Sequence, residues 1–189
     1  MPYRKVEFRA GEYYHLYNRG SNYQPIFNER ENYLYFLRQI RKYLPDTAID
    51  LIAYCLMPNH YHFLVHLKID ELSNLLQPVL VSYSKSFNRR YARVGPLFQG
   101  PFKAVHVDRN EYLLHLSRYI HLNPVTAGLV PSAQEWEFSS YQDFIGLLSG
   151  SLPKPEVVLS QFPSANDYRQ FVESYAGADD VLITHLMLE

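Results

Sequence analysis

Cysteine is almost missing from this chain of 189 residues: Cys55 stands alone. An internal disulfide is therefore excluded, and the composition fits a reducing compartment. The apolar neighbours of Cys55, Tyr54 and Leu56, mark it as a buried strand residue and not a nucleophile. Long apolar runs are also missing. None approaches the roughly 20 residues that a membrane helix needs, and Met1-Pro2-Tyr3-Arg4-Lys5 is not followed by the apolar core of a signal peptide. The expectation is a soluble, cytoplasmic protein with no membrane partner. Internal repeats and low-complexity segments are absent. Tryptophan occurs once and the net charge is only −1, so overall charge gives no evidence for a polyanionic partner.

A hydrophobic fraction of 47% and an aromatic fraction of 15% exclude a disordered chain. The 17 tyrosines join apolar area to a polar tip, which suits surfaces that meet other molecules. The small net charge conceals an asymmetry. Residues 1–130 carry 16 Lys and Arg against 10 Asp and Glu, a net of +6; residues 131–189 carry 2 against 9, a net of −7. A basic body with an acidic end is compatible with nucleic acid binding on the body. Acidic ends are equally familiar as solubilising features.

Taken in order, residues 12–18 are β-prone and aromatic, and Arg19-Gly20-Ser21-Asn22 closes them as a loop. A helix is expected from an Asn28 cap, with Glu29 and Glu31 early and Arg41 and Lys42 late, stopped at Pro45. Strands follow at 48–56 and 60–67, joined by the Met57-Pro58-Asn59 turn. Asp70 or Ser73 caps a second helix running to about Arg93. Lys103 to Val107 forms a fourth strand. Asp108 and Glu111 form a capping box for a third helix that Asn123-Pro124 ends. This β-α-β-β-α-β-α order predicts an α+β, ferredoxin-like sandwich, with an antiparallel sheet and helices mainly on one face. Residues 1–130 form that domain. Residues 131–189 form a C-terminal extension packed on it: 136–141 cover the core, 149–155 link, 164–175 make a short helix, and 176–189 are expected to be poorly ordered.

The chemistry concentrates at His60-Tyr61-His62. Alternation along a strand places His60 and His62 on one face, with Cβ atoms roughly 6–7 Å apart, close enough to converge on one metal ion. Two solvated surface histidines would give the same pattern. On the third helix, Tyr112, His115 or Leu116, and Tyr119 share a face by i, i+3/i+4, i+7 spacing, and Asn123 lies one turn beyond Tyr119. A helix crossing the sheet could bring the Tyr119 phenol and the Asn123 amide to the histidine face. The second helix ends in Lys85, Arg89, Arg90 and Arg93, interleaved with Tyr83, Phe87 and Tyr91. These cations suit either the helix dipole or a groove for phosphates and unpaired bases.

Three blocks carry a resemblance: Ala53 to His62, Gly95 to Lys103, and Ser117 to Val125. With Tyr14 to Gly20 and Trp136 to Tyr141, they resemble the single-tyrosine HUH transposases. More narrowly, they are similar to the transposases associated with repetitive extragenic palindromes. The resemblance spans about residues 11–175 with its blocks in order. It implies that His60 and His62 bind Mg²⁺ or Mn²⁺, and that Tyr119 cleaves single-stranded DNA by a 5′-phosphotyrosine link that leaves a free 3′-OH. Asn123 stands where insertion-sequence relatives carry a metal-binding glutamine, one methylene longer. Arg19, Lys85, Arg89, Arg90, Arg93 and Lys103 are the DNA-binding candidates, and palindromic hairpin DNA is the implied partner of a monomer or homodimer at the nucleoid. Two other readings stay open: a hairpin-binding protein without cleavage, and a hydrolytic metal phosphoesterase in which Tyr119 is structural.

Overall fold

The computed structural model describes residues 6–175 and Thr184. Four strands form its sheet: β1 (Tyr13–Arg19), β2 (Ile49–Met57), β3 (His60–Leu67) and β4 (Lys103–Val107). Their order is β2-β3-β1-β4 and every neighbouring pair is antiparallel. Helix α1 (Arg30–Tyr43) connects β1 to β2, and α2 (Leu72–Arg90) connects β3 to β4. Each crossover skips one strand, the split β-α-β arrangement expected of a ferredoxin-like fold. The β2–β3 hairpin closes through Pro58 and Asn59, with Met57 opposite His60.

Both faces of the sheet are apolar, and this fixes where the helices go. On one face Tyr14, Leu16, Leu56, Tyr61, Phe63 and Val65 pack with Phe36 and Ile40 of α1 and Leu76, Val79 and Tyr83 of α2. On the other, Ala53, Cys55, Leu64 and Val107 pack with Leu113, Leu116 and Ile120 of α3 (Asn110–Thr126). The α+β, ferredoxin-like architecture is therefore the one expected, with a refinement. The two connecting helices share one face, while α3 covers the other. An irregularity in the β2–β3 ladder between Leu51 and Ala53 makes both assignments possible. It places Ile52 and Ala53 consecutively in the α3-side core, so the parity of β2 changes there.

The C-terminal part completes the α3 side. Short helices α4 (Tyr141–Phe144), α5 (Glu156–Leu159) and α6 (Ala165–Glu173) contribute Tyr141, Phe144, Val158, Tyr168 and Val172 to that core. The 136–140 segment runs along the free edge of β2. Leu56 N–H donates to Phe138 O at 2.9 Å, Trp136 Nε1 donates to Leu56 O at 3.0 Å, and the Phe138 ring stacks on Tyr33 at 3.9 Å. Covering that edge removes a row of unpaired backbone groups. The expectation for 176–189 falls, Thr184 aside, outside the described residues. Among those residues no helix is long and apolar enough to cross a membrane.

Several helix ends differ from the sequence reading. Glu29, not Asn28, caps α1, and its capping box is closed by Asn32. Glu71 stands at the N-cap of α2, while Asp70 accepts from Ala10 N–H at 2.6 Å and Ser73 lies inside the helix. That helix ends at Arg90, before Ala92 enters the left-handed region at φ 48°. Arg109, not Asp108, is at the N-cap of α3, with no side-chain cap. Pro124 does not end α3. It lies inside the helix, which continues to Thr126 and ends where Gly128 turns at φ 68°. A proline so near the end forfeits one backbone bond but is otherwise accommodated.

Candidate active site

Strand polarity gathers the candidate residues at one end of the sheet. Arg19 at the end of β1 pairs with His60 at the start of β3, and Lys103 at the start of β4 pairs with Tyr17. The loop before β4 is held at the same end: Gln99 N–H donates to Arg19 O at 2.9 Å and Asn18 Nδ2 donates to Gly100 O at 3.0 Å. Gly20 donates its N–H to Asn59 O at 2.8 Å. A Cβ on Gly20 would lie 1.9 Å from Gln24 O, so this close approach admits only glycine.

On the α3 face, His60, His62, Tyr119 and Asn123 come together. The His60 and His62 rings are 5.0 Å apart and nearly perpendicular. The Tyr119 ring lies edge-on to His62 at 5.4 Å. Asn123 Oδ1 is 3.0 Å from His60 Nε2. The i, i+4 spacing of Tyr119 and Asn123 survives because α3 continues through Pro124. Tyr119 is half-buried and His62 wholly buried. His66 shares the parity of the pair but turns to Asp50, 3.5 Å away, and takes no part.

Burial keeps both candidate ligands neutral. It pushes the His62 pKa well below the ordinary range, helped by the neighbouring His15 and His60 rings. It also lowers that of His60, opposed by the Asn123 bond and assisted by the Arg19 charge. A neutral imidazole is the form that binds metal.

The donor set fits a divalent cation. Both nitrogens of His60 face amide oxygens: Nδ1 lies 2.6 Å from Asn59 Oδ1, and Nε2 lies 3.0 Å from Asn123 Oδ1. A neutral ring has one N–H for the two. If Nδ1–H donates to Asn59, the Nε2 lone pair and the Asn123 oxygen are opposed acceptors. Their separation matches that of two cis ligands of an octahedral ion with bonds of ~2.1 Å, which lie about 3.0 Å apart. His62 Nε2 is buried without a hydrogen-bond partner among the described residues. No three His, Cys, Asp or Glu side chains there converge as a metal site; the set here is two imidazoles and an amide oxygen.

The sequence reading missed two members of this face. His15 and Tyr17 of β1 lie beside the pair, the His15 ring edge to edge with that of His62 at 5.1 Å and Tyr17 at 6.2 Å from it. The signal was their odd parity on β1, but only the β1–β3 register shows which strand face that parity meets.

The cationic candidates divide into two groups. Arg19 and Lys103 border the site; Arg19 donates to Gln99 Oε1 at 2.5 Å and covers the Tyr23 ring, and Lys103 lies over the Tyr17 ring at 5.8 Å. Lys85, Arg89, Arg90 and Arg93 lie along the C-terminal end of α2 and just beyond it, on the far face of the sheet. Their end is nevertheless near the hairpin, since Tyr83 OH donates to Ile26 O and Ile26 N–H donates to Pro58 O. Arg90 pairs with Glu29 at 2.5 Å, and Arg93 donates to Gln24 Oε1 and Asn88 Oδ1. An apolar groove of about 560 Å³ lies between α2 and the 95–102 loop, lined by Leu80, Lys85, Leu97, Phe98 and Phe102 among others. None of the four candidate catalytic residues lines it.

Among solved structures, the chain is similar to "Structure of the REP associates tyrosine transposase bound to a REP hairpin", with a TM-score of 0.62 and 18% identity over 82% of this chain and 97% of that one. It also matches a putative transposase from Deinococcus radiodurans R1, with a TM-score of 0.42 and 13% identity over 64% of this chain and 95% of that one. No curated protein matches. The first likeness establishes a shared fold. The family model described as "Transposase IS200 like" matches residues 10–123, more than half of the chain and all four candidate residues, so the protein belongs to the IS200-like transposase family.

Proposed function

We propose that this protein is a metal-dependent single-strand DNA transposase. It binds palindromic hairpin DNA, then cleaves and rejoins it through a 5′-phosphotyrosine intermediate. The observation that carries the reading is the convergence of Tyr119 with His60, His62 and Asn123 on one face, although 63 positions of sequence separate His60 from Asn123. The similar structure is of a transposase bound to a hairpin, which supports hairpin DNA as the ligand here.

In this mechanism the Tyr119 oxygen attacks the scissile phosphorus. An O–P bond to tyrosine forms and the bond from phosphorus to the 3′ oxygen breaks. The phenol loses a proton and the departing oxygen gains one, so the step balances without external energy. The reverse attack by that 3′-OH rejoins strands. His60, His62 and Asn123 would hold Mg²⁺ or Mn²⁺, which supplies Lewis-acid polarisation of a phosphate oxygen. Arg19 and Lys103 border the site and hold the adjacent backbone; Lys85, Arg89, Arg90 and Arg93 meet DNA that continues past the hairpin end of the sheet.

The test uses a labelled hairpin with a single-stranded flank and Mn²⁺. Wild type yields a covalent protein–DNA adduct on a denaturing gel. Tyr119→Phe loses the adduct and all cleavage but retains hairpin binding. Cleavage that survives in Tyr119→Phe would establish a hydrolytic mechanism instead. Hairpin binding by wild type with neither cleavage nor adduct would establish a binding protein.

A further inference from the structure

Resting on that reading of the metal site, we infer that His15 is a positioning residue that fixes His62 in the tautomer whose Nε2 lone pair faces the site. His15 lies on β1 opposite Leu64, and its ring meets that of His62 edge to edge, with centroids 5.1 Å and planes 18° apart. His15 Nε2 and His62 Nδ1 are 2.9 Å apart, and both residues are wholly buried. The Tyr17 ring, 4.9 Å from His15, packs alongside.

One proton lies between the two nitrogens, and its side of origin decides what His62 can do. If His15 Nε2–H donates, neutral His62 carries its proton on Nε2. That nitrogen is buried and has no hydrogen-bond partner among the described residues, so a buried N–H would be unsatisfied. If His62 Nδ1–H donates to His15, Nε2 keeps only a lone pair, which costs less unpaired and is what a cation needs. The second arrangement satisfies the donor and prepares the ligand. A hydrogen bond to the far nitrogen of a ligating histidine fixes ring orientation and raises basicity. His60 is served in the same way by Asn59, 2.6 Å from its Nδ1. The two ligands would then each have an oriented outer partner, one from the hairpin turn and one from β1.

The experiment combines NMR of His62 in the metal-free full-length protein with Mn²⁺ calorimetry on wild type, His15→Phe and His15→Gln. Phe keeps an aromatic ring without an acceptor; Gln keeps an acceptor oxygen. Expected are an Nδ1–H tautomer at His62 and Mn²⁺ affinity reduced on the order of 10–100-fold in His15→Phe. Gln should restore most of the affinity. Both variants should stay folded, His15→Phe with a lower thermal midpoint because it leaves a buried His62 N–H unpaired, and hairpin binding in EDTA should be preserved, which a merely structural role would not allow. An Nε2–H tautomer, or undiminished Mn²⁺ affinity in folded His15→Phe, overturns the role of His15 while leaving the metal site intact. Folded wild type that binds no Mn²⁺ overturns the metal site, and His15's role with it. Should His15→Phe fail to fold, the wild-type tautomer and His15→Gln decide.

Discussion

At the scale of single residues, three histidines are held neutral by burial, and only two belong to the site. His121 on α3 is wholly buried between Tyr168 OH, 2.7 Å from Nδ1, and Ser140 Oγ, 2.9 Å from Nε2. Burial lowers its pKa to about 3. The sign of the resulting pH dependence follows. The unfolded chain takes up protons near pH 6.5 while the native histidine does not, so the unfolded state gains as pH falls. His121 therefore contributes full stability above about pH 6.5, and that contribution declines down to about pH 3, by ~1.4 kcal/mol per pH unit. His60 and His62 act in the same direction. Urea titrations at pH 7.5 and 5.5 should show the loss, with a smaller pH difference in a folded His121→Gln variant. An identical pH difference in that variant would refute the assignment.

Among the elements, the turn after β1 has the most consequence for the site. It ties the hairpin to the 95–102 loop through Gly20 N–H to Asn59 O at 2.8 Å and Ser21 N–H to Leu97 O at 2.9 Å. In Gly20→Ala, the new Cβ would meet the backbone oxygen of Gln24 at 1.9 Å and Ile26 Cγ2 at 3.1 Å, so backbone must move. The expected cost is about 1–3 kcal/mol of stability. Because Asn59 also touches His60, cleavage should fall further than stability alone explains. Chemical denaturation and the hairpin cleavage assay measure the two effects. Wild-type stability in Gly20→Ala would show that the approach is not needed. Much at this scale was legible in the sequence. Pro58-Asn59 between apolar runs gave the hairpin, and β4 was read with its observed bounds. What was not legible depends on distant partners. The capping box at Asp108 and Glu111 was sound local chemistry, but α3 starts from Arg109 without a side-chain cap. The parity change at Ile52, which sends the second core to α3, leaves no mark in the β2 sequence, since both its faces are apolar.

For the whole molecule, the pattern of charge was legible but its availability was not. Six cations were candidate DNA contacts, and the fold gives three of them hydrogen-bond or ion-pair partners: Arg19 with Gln99, Arg90 with Glu29, and Arg93 with Gln24 and Asn88. Lys85, Arg89 and Lys103 remain exposed. Affinity for nucleic acid falls with salt in proportion to the phosphates neutralised, with a slope of roughly −0.7 to −0.9 for each. If only the exposed three engage phosphate, the logarithm of hairpin affinity should fall with the logarithm of salt at a slope of about −2 to −3. If the partnered arginines exchange their contacts for DNA, the slope approaches −4 to −5. Lys103→Gln and Arg89→Gln should each reduce the slope by about one, in binding assays between 50 and 300 mM salt (roughly the range over which such slopes are read). Arg90→Gln distinguishes the two cases, because Glu29 holds that guanidinium and Tyr91 OH at the start of α1. A slope unchanged by Arg90→Gln means that this pair stays closed on DNA, whereas a reduction means that DNA opens it. Slopes unmoved by both Lys103→Gln and Arg89→Gln would place the DNA path away from this end of the sheet.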